Sequence, residues 1–493
     1  MSKTASWLSH IQSFCTKRAV PLAGVGMLVV VGTIVLTGSH AASIFQSAEP
    51  ENGAISSPAS TGSDTGASQG SYVRFGAAAA SGTLSVDFTK PIVDIPANAY
   101  GLDESGYPGG GPVLADDTVE QLLFKKMGTG MVRMALKYTV SHDPTSKIIC
   151  SGSGCDLTPS GDQYVAAIRA MGAEPIIITP RDSTDAANLV KHYNKDLGWG
   201  IKRWIVHNEP EVESPTLNGA QYAPIFNAAY DAMKAVDPTI LVGGPANAWF
   251  NCCQQTANWT DFLPTFMDLS GSRVDFIDFH KYGQGGSVSK IDSDLTGMTK
   301  EYEDNLATLK AFLKQKQPNR NISMEIGEWQ LDWDHIDPRF RTQFNTVWVA
   351  SALGHILKGG ALAMPYATKN NDLGFIDESN RQTMPAYHGY GMWTGEGLFR
   401  HFGSQMVQAS SGVTGVEIFA SASSQNVIVI NKNTSSASAT INLSGAAGVA
   451  ADVWRKDQSM NAYAVPSKIA TITTGASFSY DFPAYSVTTF VLN

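Results

Sequence analysis

The chain reads WIVHNEP over residues 204–210, a short apolar run that ends in an Asn-Glu-Pro containing Glu209. A second run reads ISMEIGEW over residues 322–329 and carries Glu328 near its end. Strands of a parallel barrel are buried along their length, and their carboxyl ends present the functional side chains. Both runs are typical of barrel strands that deliver a carboxylate to the barrel mouth.

Apolar runs of this kind alternate with amphipathic stretches from about Ile95 onward. The candidate strands are residues 99–102, 131–135, 175–178, 204–207, 240–243, 276–280, 322–326 and 361–364. The candidate helices are residues 117–127, 162–171, 185–193, 219–236, 259–269, 301–315, 339–357 and 387–402. Strand and helix patterns that alternate in this way predict an α/β fold, a (β/α)8 TIM barrel over residues 95–403.

The pattern changes after Gly403, where helical periodicity stops. Strand-like runs separated by Asn, Ser and Gly follow, and they predict a C-terminal antiparallel β-sandwich domain over residues 404–493. An early run within residues 83–94 alternates apolar and polar side chains and precedes the barrel. We expect this strand to join the sandwich and to tie the two ends of the chain together.

The first 42 residues predict export. A cationic pair, Lys17 and Arg18, precedes an apolar run over residues 19–37, and small residues follow up to Ala42. A cleaved signal peptide and an uncleaved signal anchor are both compatible with this pattern, and an anchor would tether the chain to a membrane through residues 19–37. Both alternatives predict a secreted or extracytoplasmic protein.

Residues 43–82 are rich in Ser, Gly, Ala and Thr, a composition typical of a flexible linker. Two pieces within it, residues 48–54 and 68–75, resemble strands of a carbohydrate-binding β-sandwich with its middle missing. So short a segment cannot bury a sandwich core, so we interpret it as a remnant or a stalk hairpin.

Four cysteines follow the leader: Cys150, Cys155, Cys252 and Cys253. In an oxidising compartment they are expected to form structural disulfides. Pairing within each neighbouring set and cross-pairing between the sets are both open alternatives, because adjacent cysteines close a strained ring. A zinc site would need further ligands, and no nearby histidine pair supplies them.

The two strand-terminal glutamates suit the cleavage of a glycosidic bond with retention. Glu209 and Glu328 fall on the fourth and seventh predicted strands, so they can face each other across the barrel mouth. Retention needs one carboxyl group that donates and recovers a proton, which requires a raised pKa, and one carboxylate that attacks the anomeric carbon. Glu325 is a competing candidate for the second role. Strand alternation predicts that it faces away from Glu328, which is nearer the strand end.

These features resemble the clan A retaining glycoside hydrolases, and among them family 39 and its relatives in families 51, 30 and 79. The resemblance covers residues 83–493, with Asn208-Glu209-Pro210 matching the acid/base motif and Gly327-Glu328-Trp329 the nucleophile motif. It implies that Glu209 is the acid/base, that Glu328 is the nucleophile, and that Asn208 hydrogen-bonds the sugar 2-hydroxyl.

The resemblance also implies residues that support the two glutamates. Arg133 matches the arginine held under the nucleophile, and His280 and Tyr282 end the sixth strand where the family places a hydrogen-bond partner of the catalytic pair. Many clan members end the eighth strand in a substrate-stacking tryptophan, whereas this chain has Tyr366, which we expect to take its place. Trp329 adjoins Glu328 and is expected to contact substrate; other tryptophans are more often core residues.

Other functions are less compatible with the sequence. The net charge of −9 without clustered Lys and Arg argues against nucleic acid as a partner. The pair of glutamates and the resemblance imply a carbohydrate substrate. A metal-dependent barrel hydrolase would need a histidine pair on an early strand, and the first predicted strand ends in Leu102-Asp103-Glu104 without a histidine. The mechanism expected from two glutamates needs no organic cofactor either, so we expect neither a metal nor a cofactor. The alternative from another class is a catalytically silent polysaccharide-binding surface protein on a glycosidase scaffold.

Overall fold

The computed structural model describes two compact units, residues 1–78 and residues 79–493. The described residues are 60–63, 70–74, 80–104, 114–137, 147–148, 161–256, 260–286, 289–334, 337–370, 372–446 and 450–493. In the first unit, strand β1 (Ser60–Ser63) pairs antiparallel with β2 (Ser71–Arg74). β2 lies within the strand predicted at residues 68–75, whereas the predicted strand at 48–54 and the leader lie outside the described residues.

None of the helices in the described ranges is long and apolar enough to cross a membrane.

The second unit contains a closed barrel of parallel strands. In chain order they are β4 (Gly101–Asp103), β5 (Met131–Lys137), β7 (Glu174–Thr179), β8 (Arg203–Val206), β9 (Leu241–Asn247), β10 (Phe276–Gln284), β11 (Ser323–Asp332) and β12 (Leu362–Ala363), while a short β6 (Lys147–Ile148) pairs antiparallel with β5. Spatial order follows chain order from β4 to β12, and parallel bridges Tyr100–Ala363 and Asp103–Tyr366 close the ring. The predicted TIM barrel is therefore confirmed.

The helices that surround the barrel are α1 (Thr118–Met127), α2 (Gly161–Met171), α3 (Ser183–Val190), α4 (Gly219–Val236), α5 (Phe262–Ser270), α6 (Asp292–Met298), α7 (Glu301–Lys316), α8 (Gln343–Gly359) and α9 (Pro385–Thr394). α4 begins where predicted because Asn218 and Gln221 form a capping box that satisfies its first free N–H groups. A single π-helical segment, Lys191–Asp196, extends α3. The short α6 was not predicted.

The C-terminal domain is one continuous hydrogen-bonded sheet of nine strands. It comprises β3 (Ala80–Asp94), β13 (Gln405–Ser411), β14 (Val416–Ser421), β15 (Asn426–Asn431), β16 (Ala437–Ser444), β17 (Ala450–Lys456), β18 (Ser467–Thr473), β19 (Ser477–Phe482) and β20 (Ser486–Leu492). The order is β18-β17-β20-β15-β14-β13-β3-β16-β19. Phe478 and Tyr480 of β19 contact Phe490 of β20 although five strands stand between them in this order, so the sheet folds over itself into two layers.

One prediction about this domain needs correction, because the sheet is mixed and not wholly antiparallel. β3 pairs antiparallel with β13 but parallel with β16, in register from Ala80–Ala437 to Asp87–Ser444. β3 precedes the barrel in the chain and must lead into β4, and this connection sets its direction. A local hairpin pattern therefore could not predict that β3 runs parallel to β16.

The sandwich is fixed to the helical layer of the barrel by a buried polar cluster. Glu417 of β14 accepts hydrogen bonds from Ser351 (2.5 Å) and Lys432, and lies 3.1 Å from His355 Nε2. Burial raises the pKa of Glu417, but these partners outweigh it and hold the pKa at about 2. The carboxylate is therefore ionised and paired across the two domains.

The cysteine loop follows β9. Cys252 and Cys253 are joined to each other, with their Cα atoms 3.7 Å apart. Pairing of neighbours is thus the alternative found for this set. Cys150 and Cys155 lie outside the described residues, so their pairing stays a prediction.

Candidate active site

Glu209 lies three residues beyond the end of β8, in a constrained loop. His207 and Glu209 both have left-handed backbones, with φ of 64° and 41°. Such values are uncommon for residues other than glycine and persist where surrounding contacts hold them. The Glu209 N–H donates to the carbonyl of Ala246 at 3.0 Å, which ties this loop to the end of β9. The Glu209 side chain is held at the barrel mouth, where it is 23% exposed.

Glu328 is positioned by a β-bulge in β11. The register runs Phe279–Ile326 and then His280–Glu328, so Gly327 is an extra residue. The Gly327 N–H donates to Asp278 at 2.7 Å, and a Cβ at this position would lie 2.4 Å from the same carboxylate. Glycine is required at this position because any side chain would displace Asp278.

The bulge overturns the alternation argument about Glu325. Glu325 pairs with Arg203 of β8, a strand separated from β11 by β9 and β10, so the contact crosses the barrel interior. Glu325 and Glu328 therefore face the same side, and the predicted opposite orientation is wrong. Exposure separates them instead: the Glu325 side chain is 0% exposed and the Glu328 side chain 14%. Burial raises the pKa of Glu325 to about 7.

Arg133 of β5 is the buried cation at the centre of the site. Its Nη1 donates to Asp103 and to Glu328, each at 2.9 Å, and its Nη2 donates to Asn208 Oδ1 at 2.6 Å. Its Nε lies 3.5 Å from a carboxylate oxygen of Asp278. Burial alone would lower the pKa of Arg133, but the surrounding carboxylates outweigh it and raise the pKa. Arg133 is therefore charged and holds Glu328 and Asn208 in place.

His280 connects the two glutamates. Its Nδ1 lies 2.7 Å from Glu209 Oε1 and 3.5 Å from Glu328 Oε2, while its Nε2 lies 3.0 Å from Arg133 Nη2. Burial lowers the pKa of His280, but the two carboxylates act to raise it. The guanidinium of Arg133 can only donate, so His280 Nε2 accepts from Nη2, and the ring proton is on Nδ1, which donates to Glu209.

The direction of the Glu209 pKa contradicts our prediction for this ligand-free site. Burial raises the pKa of Glu209. The hydrogen bond from His280 and the electrostatic effects of His280 and Arg133 lower it by more, so the pKa lies below its usual value. The predicted raised pKa is therefore wrong for the free protein. The physical reason is that the nearby proton resides on the imidazole, 2.7 Å from Glu209.

Two predicted tyrosines lie near the ends of β10 and β12. Tyr282 donates its hydroxyl to Glu328 Oε2 at 3.0 Å, and burial raises the pKa of Tyr282 well above its usual value, so it stays a neutral donor. Tyr366 follows β12, is half-buried, and donates its backbone N–H to the Trp329 carbonyl at 3.1 Å. This contact places Tyr366 beside the strand that carries Glu328.

The prediction that Trp329 contacts substrate is wrong. Its side chain is 0% exposed, and its ring packs against Tyr302 and Trp348 at centroid distances of 6.1 and 6.3 Å, in the layer between strand and helices. Strand alternation turns Trp329 outward because Glu328 turns inward. Trp249 and Trp333 are the half-exposed tryptophans, at 49% and 56%.

Two buried carboxylates of the site were not predicted. Asp103 ends β4 and Asp278 lies in β10, and both contact Arg133. Burial raises the pKa of each. A sequence signal was available, because Asp278 precedes His280 by two residues and so shares its face of the strand.

The site also offers three side chains with the donor set of a metal site. Ligand atoms of Glu209, His280 and Glu328 all lie within 4.8 Å of one another. A cation there would compete with Arg133, 2.9 Å from Glu328, and with the proton on His280 Nδ1. Hydrogen bonds from Arg133 to Glu328 and from His280 to Glu209 suit proton transfer and nucleophilic attack.

Solved glycosidase structures share this architecture. The chain aligns with a bifunctional glucanase-xylanase from a metagenome library at a TM-score of 0.63 and 18% identity, covering 84% of this chain and 99% of that one. It aligns with an α-L-arabinofuranosidase from Thermotoga maritima at a TM-score of 0.65 and 15% identity, covering 83% and 99%. At these identities the likeness establishes the fold.

Relatives found by sequence indicate a narrower group of enzymes than the shared fold does. The chain is 23% identical over 218 residues to a β-xylosidase of Caldicellulosiruptor saccharolyticus, covering 43% of this chain and 41% of that protein. It is 19% identical over 205 residues to the α-L-iduronidase of Mus musculus, covering 39% and 29%. The matched segments thus span less than half of these relatives' length. The model of the glycosyl hydrolases family 39 matches residues 183–462, which include Glu209, His280 and Glu328. Because that match covers more than half of the chain, the protein belongs to glycosyl hydrolase family 39.

Proposed function

We propose that this protein is a retaining glycosidase in which Glu209 is the acid/base and Glu328 the nucleophile. The observation that carries the proposal is the spacing of the two glutamates, whose nearest oxygens lie within 4.8 Å of each other. Retaining enzymes hold their carboxyl groups about 5–5.5 Å apart, whereas inverting enzymes leave room for a water between them.

In the first half of the reaction, Glu328 attacks the anomeric carbon and the bond to the leaving oxygen breaks. A proton passes from Glu209 to that oxygen, so the leaving sugar departs as an alcohol. Glu209 carries this proton in the substrate complex, and the His280 Nδ1–H, 2.7 Å away, holds the carboxyl group in place. In the second half, Glu209 removes a proton from water, the resulting hydroxyl attacks the anomeric carbon, and the ester to Glu328 breaks.

The neighbours of the pair have distinct roles in this mechanism. Arg133 and Tyr282 each hydrogen-bond one oxygen of Glu328, which orients the nucleophile and disperses its charge until the ester forms. Asn208 is fixed by Arg133 at 2.6 Å, which leaves its amide nitrogen to face the sugar 2-hydroxyl or the Glu213 carboxylate, 3.3 Å away. Hydrogen bonds to the 2-hydroxyl strengthen in the oxocarbenium-like transition state.

We propose a β-xyloside as the first substrate to test. Two relatives bear the name β-xylosidase, while others are an exo-α-L-arabinofuranosidase and an α-L-iduronidase, so arabinofuranosides and iduronides belong in the same panel. A compact polar site with buried charges suits a single glycone unit.

Glu209→Ala is expected to lower turnover of aryl β-xylosides by about 10²- to 10⁴-fold, because the glycosyl ester then lacks a base to activate water. Azide, which needs no deprotonation, should restore the rate and yield a glycosyl azide of retained configuration. The measurement is aryl alcohol release with and without azide, with the azide product identified by NMR.

Wild-type inactivity across the aryl panel and on polymeric glycans would contradict the proposal and favour the polysaccharide-binding alternative. Full activity of Glu209→Ala would contradict the acid/base assignment alone. Asp231→Asn is the control, because Asp231 lies in α4, the helix that follows the Glu209 loop, and its side chain is 58% exposed.

His280→Gln is expected to lower kcat/KM by about 10²-fold and to move the alkaline limb of its pH profile to higher pH. The hydrogen bond from His280 lowers the pKa of Glu209, so without that bond Glu209 should keep its proton to higher pH. The measurement is kcat/KM against pH for both proteins. An unshifted limb in the variant, or a shift to lower pH, would contradict this role.

A further inference from the structure

The loop after β9 places an exposed tryptophan beside the Glu209 loop. Ala246, near the end of β9, accepts a hydrogen bond from the Glu209 N–H at 3.0 Å, and the Ala248 N–H donates to Glu211 at 2.9 Å. Trp249 comes next, and its side chain is 49% exposed. A large aromatic side chain left this open at the mouth of a cleft is a candidate contact for a ligand.

Contacts on both sides fix the backbone that carries this indole. The Phe250 ring packs on Phe279, the residue before His280, at a centroid distance of 5.1 Å. The Asn251 side chain accepts from the Phe262 N–H at 2.9 Å at the start of α5, and Cys252 is 5% exposed within the core. Trp249 is thus exposed on a loop with an anchored backbone, so less backbone entropy is lost when a ligand binds there.

The order of strands around the barrel indicates which part of a substrate Trp249 faces. Asp103, Arg133 and Tyr366 belong to β4, β5 and the end of β12, which are neighbours in the ring. β9 is the fifth strand and stands opposite β4, with Glu209 on the β8 loop beside it. A glycone held over the buried polar groups would therefore direct its leaving group past Glu209 toward β9.

We propose that Trp249 forms a leaving-group subsite, in which the indole stacks on the pyranose ring displaced from an oligosaccharide. This proposal rests on the proposed glycosidase function. Pyranose faces carry C–H groups, which pack on the electron-rich face of an indole, while the ring hydroxyls stay in water. The subsite would favour substrates whose leaving group is a sugar over substrates with a small leaving group.

The test compares two substrates that differ in the leaving group. Fluoride leaves the subsite empty in β-D-xylosyl fluoride, whereas xylobiose fills it with a xylose; if the aryl panel selects another glycone, its own fluoride and disaccharide are used. In Trp249→Ala, the ratio of kcat/KM for the disaccharide to kcat/KM for the fluoride should fall about fivefold to tenfold. Trp249→Phe should recover most of that ratio.

Leu269→Ala is the matched control, because Leu269 is an exposed apolar residue, 52% accessible, near the far end of α5 in the same βα unit. It should leave the ratio at the wild-type value. An unchanged ratio in Trp249→Ala, or an equal loss with both substrates, would overturn the subsite while the glycosidase function stands. Wild-type inactivity toward both substrates would overturn the glycosidase function and the subsite with it.

Discussion

Glu328→Gln is expected to reduce kcat/KM by about 10⁵-fold or more, because an amide cannot form the glycosyl ester. The substitution keeps the size of the side chain: its amide oxygen can accept from Arg133, which now bonds Oε1 at 2.9 Å, and its NH2 group can donate to the Tyr282 hydroxyl, which now bonds Oε2 at 3.0 Å. The fold should therefore persist. The measurement is turnover of the preferred aryl glycoside, with circular dichroism and thermal unfolding to verify the folded state.

Glu325→Gln provides a control on the same strand, because it removes a carboxylate that lies three residues earlier and is fully buried. Its activity should stay within about tenfold of wild type, since Glu325 contacts Arg203 and is not exposed to the cleft. The opposite pattern, with Glu325→Gln inactive and Glu328→Gln active, would exchange the two assignments.

Arg133→Met is expected to lower the free energy of unfolding by about 3–5 kcal/mol, because it leaves buried carboxylates without their cation. Asp103, Asp278 and Glu328 all lie within 3.5 Å of the guanidinium. Activity should also be lost, since Glu328 and Asn208 lose the donor that positions them. Urea unfolding followed by tryptophan fluorescence measures the stability change.

The destabilisation should depend on pH in a defined direction. Burial already raises the pKa of Asp103 and of Asp278, and removal of Arg133 should raise both further. At low pH these groups are protonated and no longer need a cation, so the loss of stability should be smaller at pH 5 than at pH 8. Adding Asp103→Asn to Arg133→Met should restore part of the stability. A single variant as stable as wild type at pH 8 would contradict the role of Arg133.

Much of the site could be predicted because it depends on strand ends. In a closed parallel barrel, all carboxyl ends meet at one mouth, so residues far apart in sequence must converge once the strands are identified. Glu209 and Glu328 were located in this way, the resemblance to family 39 added Arg133, His280 and Tyr282, and all five lie together in the structure. The strand and helix pattern that located them is local, and local patterns are visible in a sequence.

Other features depend on register, which a local pattern does not contain. The bulge at Gly327 places Glu325 on the interior face with Glu328. A glycine is needed at the bulge because Asp278 occupies the space that a side chain would take. The direction of the Glu209 pKa depends on His280, which is 71 residues away in the chain.

The sequence by itself determined the barrel, the C-terminal sheet domain and the pair of glutamates at the barrel mouth, because hydrophobic periodicity and strand-terminal polar residues are short-range properties. The tertiary structure decided which tryptophan is exposed, since Trp329 packs against Tyr302 and Trp348 of the helical layer whereas Trp249 is half-exposed on its loop. It also decided where the proton resides, because a pKa is set by charges that meet through space. The exposure of a side chain and its pKa both depend on all the neighbours that the fold brings close to it.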